Sequence, residues 1–293
     1  MYQRLELSMK NLDKKIDCTV LISVKNEEKN IFNCLDALKN SFEHVIVLDS
    51  FSTDNTKNIC SDFSIDVVDF VYSAPYPKKR QWALENLDIK TNWVLLLDAD
   101  EILSEALLKE ISFVINNTHH DGFYIKKKFY FMGKRLKYGG FDFSALMLFK
   151  TGNARFERLS NCINGFDMEI HERVILNGSA TNLKNGIEHI DWNSYSHYIS
   201  KHNNYATWEA DVRTSNTFSE DVKSDLFGNV QERRRFLKLI AKRIPFEPFL
   251  WFIYHYFFRL GFLEGRRGLI ASATRAFYIF IVRSKIYEKR LHD

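Results

Sequence analysis

Four short apolar runs in the first hundred residues each stop at a polar, mostly acidic turn, and that recurrence leaves few folds open to the chain. The runs are CTVLISV (18–24) before KNEEKN, HVIVLDS (44–50), IDVVDF (65–70) and WVLLL (93–97) before DAD. An unbroken β-branched and leucine-rich run bounded by turns predicts a strand buried on both faces, as in a parallel sheet. Between the runs the spacing turns helical. Ile31, Leu35 and Leu38 share one helix face, FSTDNT offers Ser, Thr and Asp caps to a helix near 57–61, and a further helix is expected over about 78–87. Alternating strands and helices predict a doubly wound α/β layer with a mostly parallel sheet. In such sheets ligands sit beyond the carboxyl ends of the strands, so the polar residues after Val24, Leu48 and Leu97 should meet in one crevice.

From 121 to 176 the texture changes to GFYIKKKFYF and FSALMLFK with glycine at the turns, which predicts antiparallel additions to the sheet. Past 193 the pattern is helical. The expected division is an α/β catalytic domain over 1–192 and a helical region over 193–293.

Composition matters here for what it excludes. With 293 residues, 45% hydrophobic and 27% charged, the chain is neither disordered, collagen-like nor a coiled coil. Cys18, Cys34, Cys60 and Cys162 form no CxxC pair and read as reduced thiols, and the amino terminus lacks a signal-peptide core, so a cytoplasmic protein is expected. The net charge of +4 hides an asymmetry: residues 231–293 carry 14 Lys and Arg against 5 Asp and Glu, or +9, which leaves −5 on the rest. Within that tail lie FLWFIYHYFF (249–258) and LIASATRAFYIFIV (269–282), too short to span a bilayer but long enough to lie on one or to pack as buried helices.

The acidic strand ends carry the chemistry. Asp98 and Asp100, flanking Ala99 at the end of WVLLL, can share a hard divalent cation that bridges a diphosphate, or simply cap the next helix. SVKNEEKN and LDSFSTDNT place Glu27, Asp49 and Asp54 at two further strand ends, where Glu27 and Asp49 could accept from a ribose or base N–H and Asp54 could do likewise or cap the helix.

These three turns together resemble the GT-A fold family 2 glycosyltransferases, whose pattern is an N-E turn, a D-x-x-S-x-D-x-T turn and a DxD strand end. The matching residues are Asn26-Glu27, then Asp49, Ser52, Asp54 and Thr56, then Asp98 and Asp100. What the resemblance implies is a nucleotide-sugar site. Ser23, Val24, Asn26, Glu27, Asp49, Ser52, Asp54, Asp98 and Ala99 would line the donor, joined by Lys79, Arg80 and Gln81 from YPKKRQWAL. Asp100, with Asp98 and His189 of GIEHIDW, would hold Mg²⁺ or Mn²⁺. Glu172 of MEIHERVIL, with Glu169 in reserve, would be the general base of an inverting transfer, although His171-Glu172 departs from the family's E-D. Tyr138-Gly139-Gly140-Phe141 is similar to the glycine loop near the donor.

SYSHYISKHNNYATWEA, FFRLGFLEGRRGLI and KIYE extend the resemblance, over about residues 17–290, to the bacterial lipopolysaccharide inner-core β-1,4-glucosyltransferases and their capsule and exopolysaccharide relatives. The partners this implies are a UDP-hexose donor, a lipid-linked saccharide acceptor and the anionic cytoplasmic face of the inner membrane, with no nucleic acid. Two other readings stay open: a nucleotidyltransferase, for which 23–30 lacks the glycine-rich triphosphate loop, and a basic, aromatic RNA-binding protein built around the tail.

Overall fold

The computed structural model describes residues 15–38, 41–71, 77–157, 173–190, 192, 194–214, 227 and 246–292. The apolar runs form strands where the pattern predicts them. In chain order the elements begin β1 (Ile16–Val24), α1 (Ile31–Leu38), β2 (Phe42–Asp49), α2 (Thr56–Asp62), β3 (Asp66–Asp69), α3 (Lys79–Asn86), β4 (Trp93–Asp98), β5 (Glu101–Ile102) and α4 (Glu105–Asn117). They continue with β6 (Gly122–Phe131), β7 (Lys134–Arg135), β8 (Phe143–Lys150), β9 (Ala154–Phe156), β10 (Val174–Leu176) and β11 (Ala180–His189). Helices α5 (Tyr195–Thr214), α6 (Glu247–Ile253) and α7 (Gly265–His292) close the chain, with a π turn at Tyr254–Phe258 and a 3-10 turn at Gly261–Glu264.

One large sheet runs β3-β2-β1-β4-β8-β6-β11-β5, with β7 paired to β6, and β9 and β10 form a separate ribbon. The order is parallel from β3 to β4, as expected. Beyond β4 the sheet is mixed: β8 is antiparallel to both β4 and β6, β11 is parallel to β6, and β5 is antiparallel to β11. The antiparallel additions are thus not a fringe. They make half the sheet and carry it past the DAD turn.

Helices cover both faces. On one side Val20, Ile22, Leu95 and Leu97 pack with Leu35 of α1 and Leu107 of α4; on the other Leu21, Val94 and Leu96 pack with Ala83 of α3. Alternate residues of β1 and β4 therefore serve opposite cores, which is why their sequences read as unbroken apolar runs. Cys18, Cys34 and Cys60 are buried and unpaired, and Cys162 lies outside the described residues.

The carboxyl-terminal helices pack on one another through Ala206, Tyr278, Ile279 and Val282. They meet the sheet where Phe131 and Leu136 pack with Ala271, ringed by Trp192, Tyr198 and Phe141. Gly268 lets the 3-10 turn fold back against α7: a Cβ there would stand 1.9 Å from the Gly261 carbonyl oxygen. Glu264 fastens the same turn to the β7–β8 connection. Its carboxylate accepts from the backbone N–H groups of Lys137 (2.6 Å) and Tyr138 (3.0 Å) and from Lys134 (3.2 Å). No helix among the described residues is long and apolar enough to cross a membrane.

Candidate active site

Register brings the polar strand ends level. Val24 pairs with Asp49, Ser23 with Asp98, and Asp49 with Asp69, so the turns after β1, β2 and β4 open on one edge of the sheet.

The first two turns are stitched together. Asn26, at a left-handed φ of 57°, donates its N–H to Ser52 Oγ (2.8 Å) and accepts from the Thr53 N–H (2.8 Å), a backbone shape that Asn tolerates better than most residues. The Glu27 N–H donates to Thr56 Oγ1 (2.8 Å), and the Glu28 N–H to Asp54 Oδ2 (3.1 Å). Asp54 also accepts from the Thr56 N–H and hydroxyl, and these bonds outweigh its desolvation and lower its pKa. Asp49 is completely buried; it accepts from the Ser52 N–H (2.9 Å) and hydroxyl, with Lys57 3.5 Å away. Asp49, Ser52, Asp54 and Asn26, read from the sequence as donor contacts, are here engaged in building the turn. The Glu27 carboxylate accepts from Asn30 Nδ2 at 2.8 Å.

The basic start of α3 is divided in use. Lys79 is buried and donates to the Val24 carbonyl (2.9 Å). Arg80 crosses beneath the crevice, donating to Ser23 Oγ (3.2 Å) and to the Asp98 carboxylate. Gln81 faces away from it: its side-chain oxygen takes the Phe156 N–H at 2.6 Å and ties α3 to the β9–β10 ribbon.

Around the DAD turn lies a charge network that the motif alone does not reveal. Asp98 accepts from Arg80 through one oxygen and from Lys127 through the other (3.0 Å). Lys127 also pairs with the completely buried Glu101 at 2.5 Å, and Glu101 in turn accepts from the Asp98 N–H at 2.9 Å. Burial works against the Asp98 charge, yet Arg80 and Lys127 hold its carboxyl well below the usual range. Burial likewise opposes the Lys127 charge, and Glu101 and Asp98 overcome it, keeping the ammonium protonated. Burial pushes the Glu101 carboxyl up against the pull of Lys127. With both oxygens held by cations, Asp98 braces the turn in this arrangement. Ala99 is buried beneath the turn.

Asp100 and His189 differ from this group. The two-residue strand β5 pairs Glu101 with His189 of β11, and the Ile190 N–H donates to the Asp100 carbonyl (2.9 Å), so the histidine is fixed beside the turn. His189 Nε2 lies 3.3 Å from Asp100 Oδ2. Asp100 Oδ1 and His189 Nδ1 are buried without hydrogen-bond partners among the described residues. Burial lowers the His189 pKa, but the hydrogen bond and charge of Asp100 outweigh it and raise it. A buried carboxylate oxygen with an unused lone pair beside an imidazole fits a divalent cation. Among the described residues no third His, Cys, Asp or Glu joins them, so a cation held there would complete its shell with ligand oxygens or water.

Phe143 stands at the crevice rim, its ring 5.7 Å from Lys127 Nζ and edge-on to His189. The Gly139-Gly140 loop docks on the carboxyl-terminal region: the Gly139 N–H donates to the Arg259 carbonyl (2.8 Å), and its carbonyl pairs with His255 Nδ1 (2.6 Å). Glu172, Glu169 and His171 lie outside the described residues.

Lys127 and Glu101 were missed from the sequence. For Lys127 the signal was strand parity, since Phe123, Ile125 and Lys127 share the buried face of β6. Three consecutive lysines disguised it.

The family model described as Glycosyl transferase family 2 matches residues 19–176. A lipopolysaccharide core biosynthesis glycosyltransferase of Rhizobium meliloti, LpsC, is 26% identical over 282 residues, covering 94% of this chain and 93% of LpsC. An uncharacterized glycosyltransferase of Rickettsia typhi is 27% identical over 283 residues, covering 95% of this chain and 88% of its own. Among solved structures, residues 1–349 of S. aureus TarS align over 96% of this chain and 92% of that one, at 18% identity and a TM-score of 0.42.

Proposed function

Since the chain belongs to glycosyl transferase family 2, we propose that it transfers a hexose, with inversion, from a UDP-sugar to a lipid-linked saccharide in bacterial lipopolysaccharide, capsule or exopolysaccharide assembly. As a glycosyltransferase it needs a site for an anionic donor. The observation that carries this reading is the pairing of Asp100, with an orphaned buried oxygen, and His189 at the crevice edge.

Mg²⁺ or Mn²⁺ held by these two residues would offset the charge that builds on the leaving diphosphate. The chain's own part is preorganisation. Arg80 and Lys127 lock Asp98, which fixes the turn on which Asp100 sits, so the metal-binding carboxylate needs little reorganisation when donor arrives. The stitched turns after β1 and β2 form the wall on which we place the nucleoside, with Glu27 nearest its hydroxyls. Glu172 is our assignment for the base that takes the acceptor proton, and Glu169 the alternative.

The acceptor class rests on the likeness to LpsC over nearly the full length of both chains, and on the basic, aromatic tail. A lipid-linked acceptor would place the enzyme peripherally on the cytoplasmic face of the inner membrane. The nucleotidyltransferase alternative does not survive the family assignment.

Incubation with a panel of nucleotide sugars, followed by mass spectrometry of slow donor hydrolysis, tests the donor half. One UDP-sugar should be hydrolysed with Mn²⁺ or Mg²⁺ and spared in EDTA. Hydrolysis undiminished in EDTA would refute the metal role.

A further inference from the structure

The chain bears an apolar surface that the catalytic crevice does not use. Along the helical run from α6 through the π turn, Glu247, Trp251 and His255 recur every fourth residue and point inward, with Glu247 and His255 buried. Other positions are left to solvent: Phe249, Tyr254, Phe257 and Phe258 are 61%, 43%, 55% and 76% exposed. Phe262 and Leu263 continue the exposed set into the next turn. Single exposed hydrophobics are ordinary, but four exposed aromatic rings within ten residues mark an interaction surface.

Charge indicates the partner. Residues 246–287 contain six basic side chains and two acidic ones, Glu247 and Glu264. Both acids are turned inward and neutralised. Glu247 is buried against Arg213 (3.5 Å) and Arg283 (3.2 Å), and Glu264 is buried in the clasp on the β7–β8 connection. Arg259, Arg266, Arg267 and Arg275 are exposed. The outer surface of residues 246–287 thus combines bare aromatic rings with cations and presents no carboxylate, the exposed Glu288 lying at the far end of α7.

We infer that the exposed face of residues 246–263 seats the protein on an anionic lipid leaflet, with Phe257 and Phe258 entering the headgroup boundary and Arg259, Arg266 and Arg267 facing lipid phosphates. This rests on the lipid-linked acceptor reading above and supplies its docking surface. Aromatic rings favour that boundary, and arginines beside it gain from the negative surface potential. A second copy of the chain suits the surface less well, because a two-fold contact would set these arginines against one another with no exposed acid between them.

The surface also has a line to the crevice. The same segment holds the Gly139-Gly140 loop through Arg259 and His255, and that loop leads into β8 and Phe143 at the rim.

The test uses the full chain and sedimentation with vesicles of phosphatidylcholine alone or mixed with phosphatidylglycerol, in the absence of donor. The parent should partition to the anionic vesicles, more weakly as salt is raised. The double variant Phe257→Ser with Phe258→Ser should lose about tenfold or more of that partition, and Arg266→Ser about fivefold at low salt. Metal-dependent donor hydrolysis should be unchanged in both variants. Equal binding to neutral and anionic vesicles, no binding to either, or full binding by the double variant would overturn the inference. So would a concentration-dependent dimer, seen by sedimentation velocity, that the same double variant dissociates. Vesicle binding without any nucleotide-sugar binding would sink the donor reading and leave this one standing.

Discussion

At the scale of single residues, the site is held by paired charges, and one lysine is central to them. Lys127 neutralises Asp98 and Glu101 at once. Replacing it with Met leaves Glu101 buried without a counter-charge, a change that costs about 3–5 kcal/mol in comparable buried pairs. The urea unfolding midpoint of Lys127→Met should fall accordingly, and adding Glu101→Gln should restore part of the loss. An unchanged midpoint would show that the network does not hold the turn. His189 makes a separate prediction: His189→Ala should weaken Mn²⁺ binding at least about tenfold, read by calorimetry, while leaving the fold intact. The sequence displayed Asp98, Asp100 and His189 as a spacing but not their division of labour. Asp98 and Asp100 look equivalent in DAD, and what separates them is Arg80 and Lys127, brought from α3 and β6 by long-range packing.

At the scale of elements, the first hundred residues were legible because each buried strand is a self-contained apolar run. The second half was less so. β5 is two residues long and exists through its pairing with β11, yet it is what sets His189 beside Asp100. No local pattern announces so short a strand. The carboxyl-terminal turn rests on two residues, Gly268 for its own close fold and Glu264 for its non-local docking. Gly268→Ala would drive a methyl into the Gly261 carbonyl, so a loss of about 1–3 kcal/mol is expected, measured by thermal unfolding. Glu264 adds a pH dependence. Burial raises its pKa, but the N–H groups of Tyr138 and Lys137 and the Lys134 ammonium outweigh that and lower it. A depressed folded pKa means the clasp stabilises fully above the ordinary glutamate value and is lost as pH falls through the folded one. Between about pH 5 and pH 3 the parent should therefore lose more melting temperature than Glu264→Gln. Parallel pH profiles for the two would contradict the clasp.

At the scale of the whole molecule, the catalytic crevice and the aromatic surface belong to different parts of the chain and meet through the Gly139-Gly140 loop. The strand ends gather carboxylates against a positive brace, while residues 246–268 bury Glu247 and Glu264 and expose cations and rings. Within the charge asymmetry of +9 and −5, the described part of the tail turns Arg259, Arg266, Arg267 and Arg275 outward beside the rings. Sequence alone could not tell whether the tail aromatics face the core or the outside, since both arrangements share one composition; the structure divides them, with Trp251 inside and Phe257 and Phe258 outside. The central claim is that Asp100 and His189 make a metal-dependent donor site, and calorimetric titration of UDP-sugars into the parent and Asp100→Ala, with Mn²⁺ or with EDTA, tests it most directly. The account predicts that one UDP-sugar binds the parent with metal and that EDTA or Asp100→Ala abolishes binding while the circular dichroism spectrum is unchanged. Binding of equal strength in EDTA or in the folded variant, or no binding of any nucleotide sugar, would contradict it.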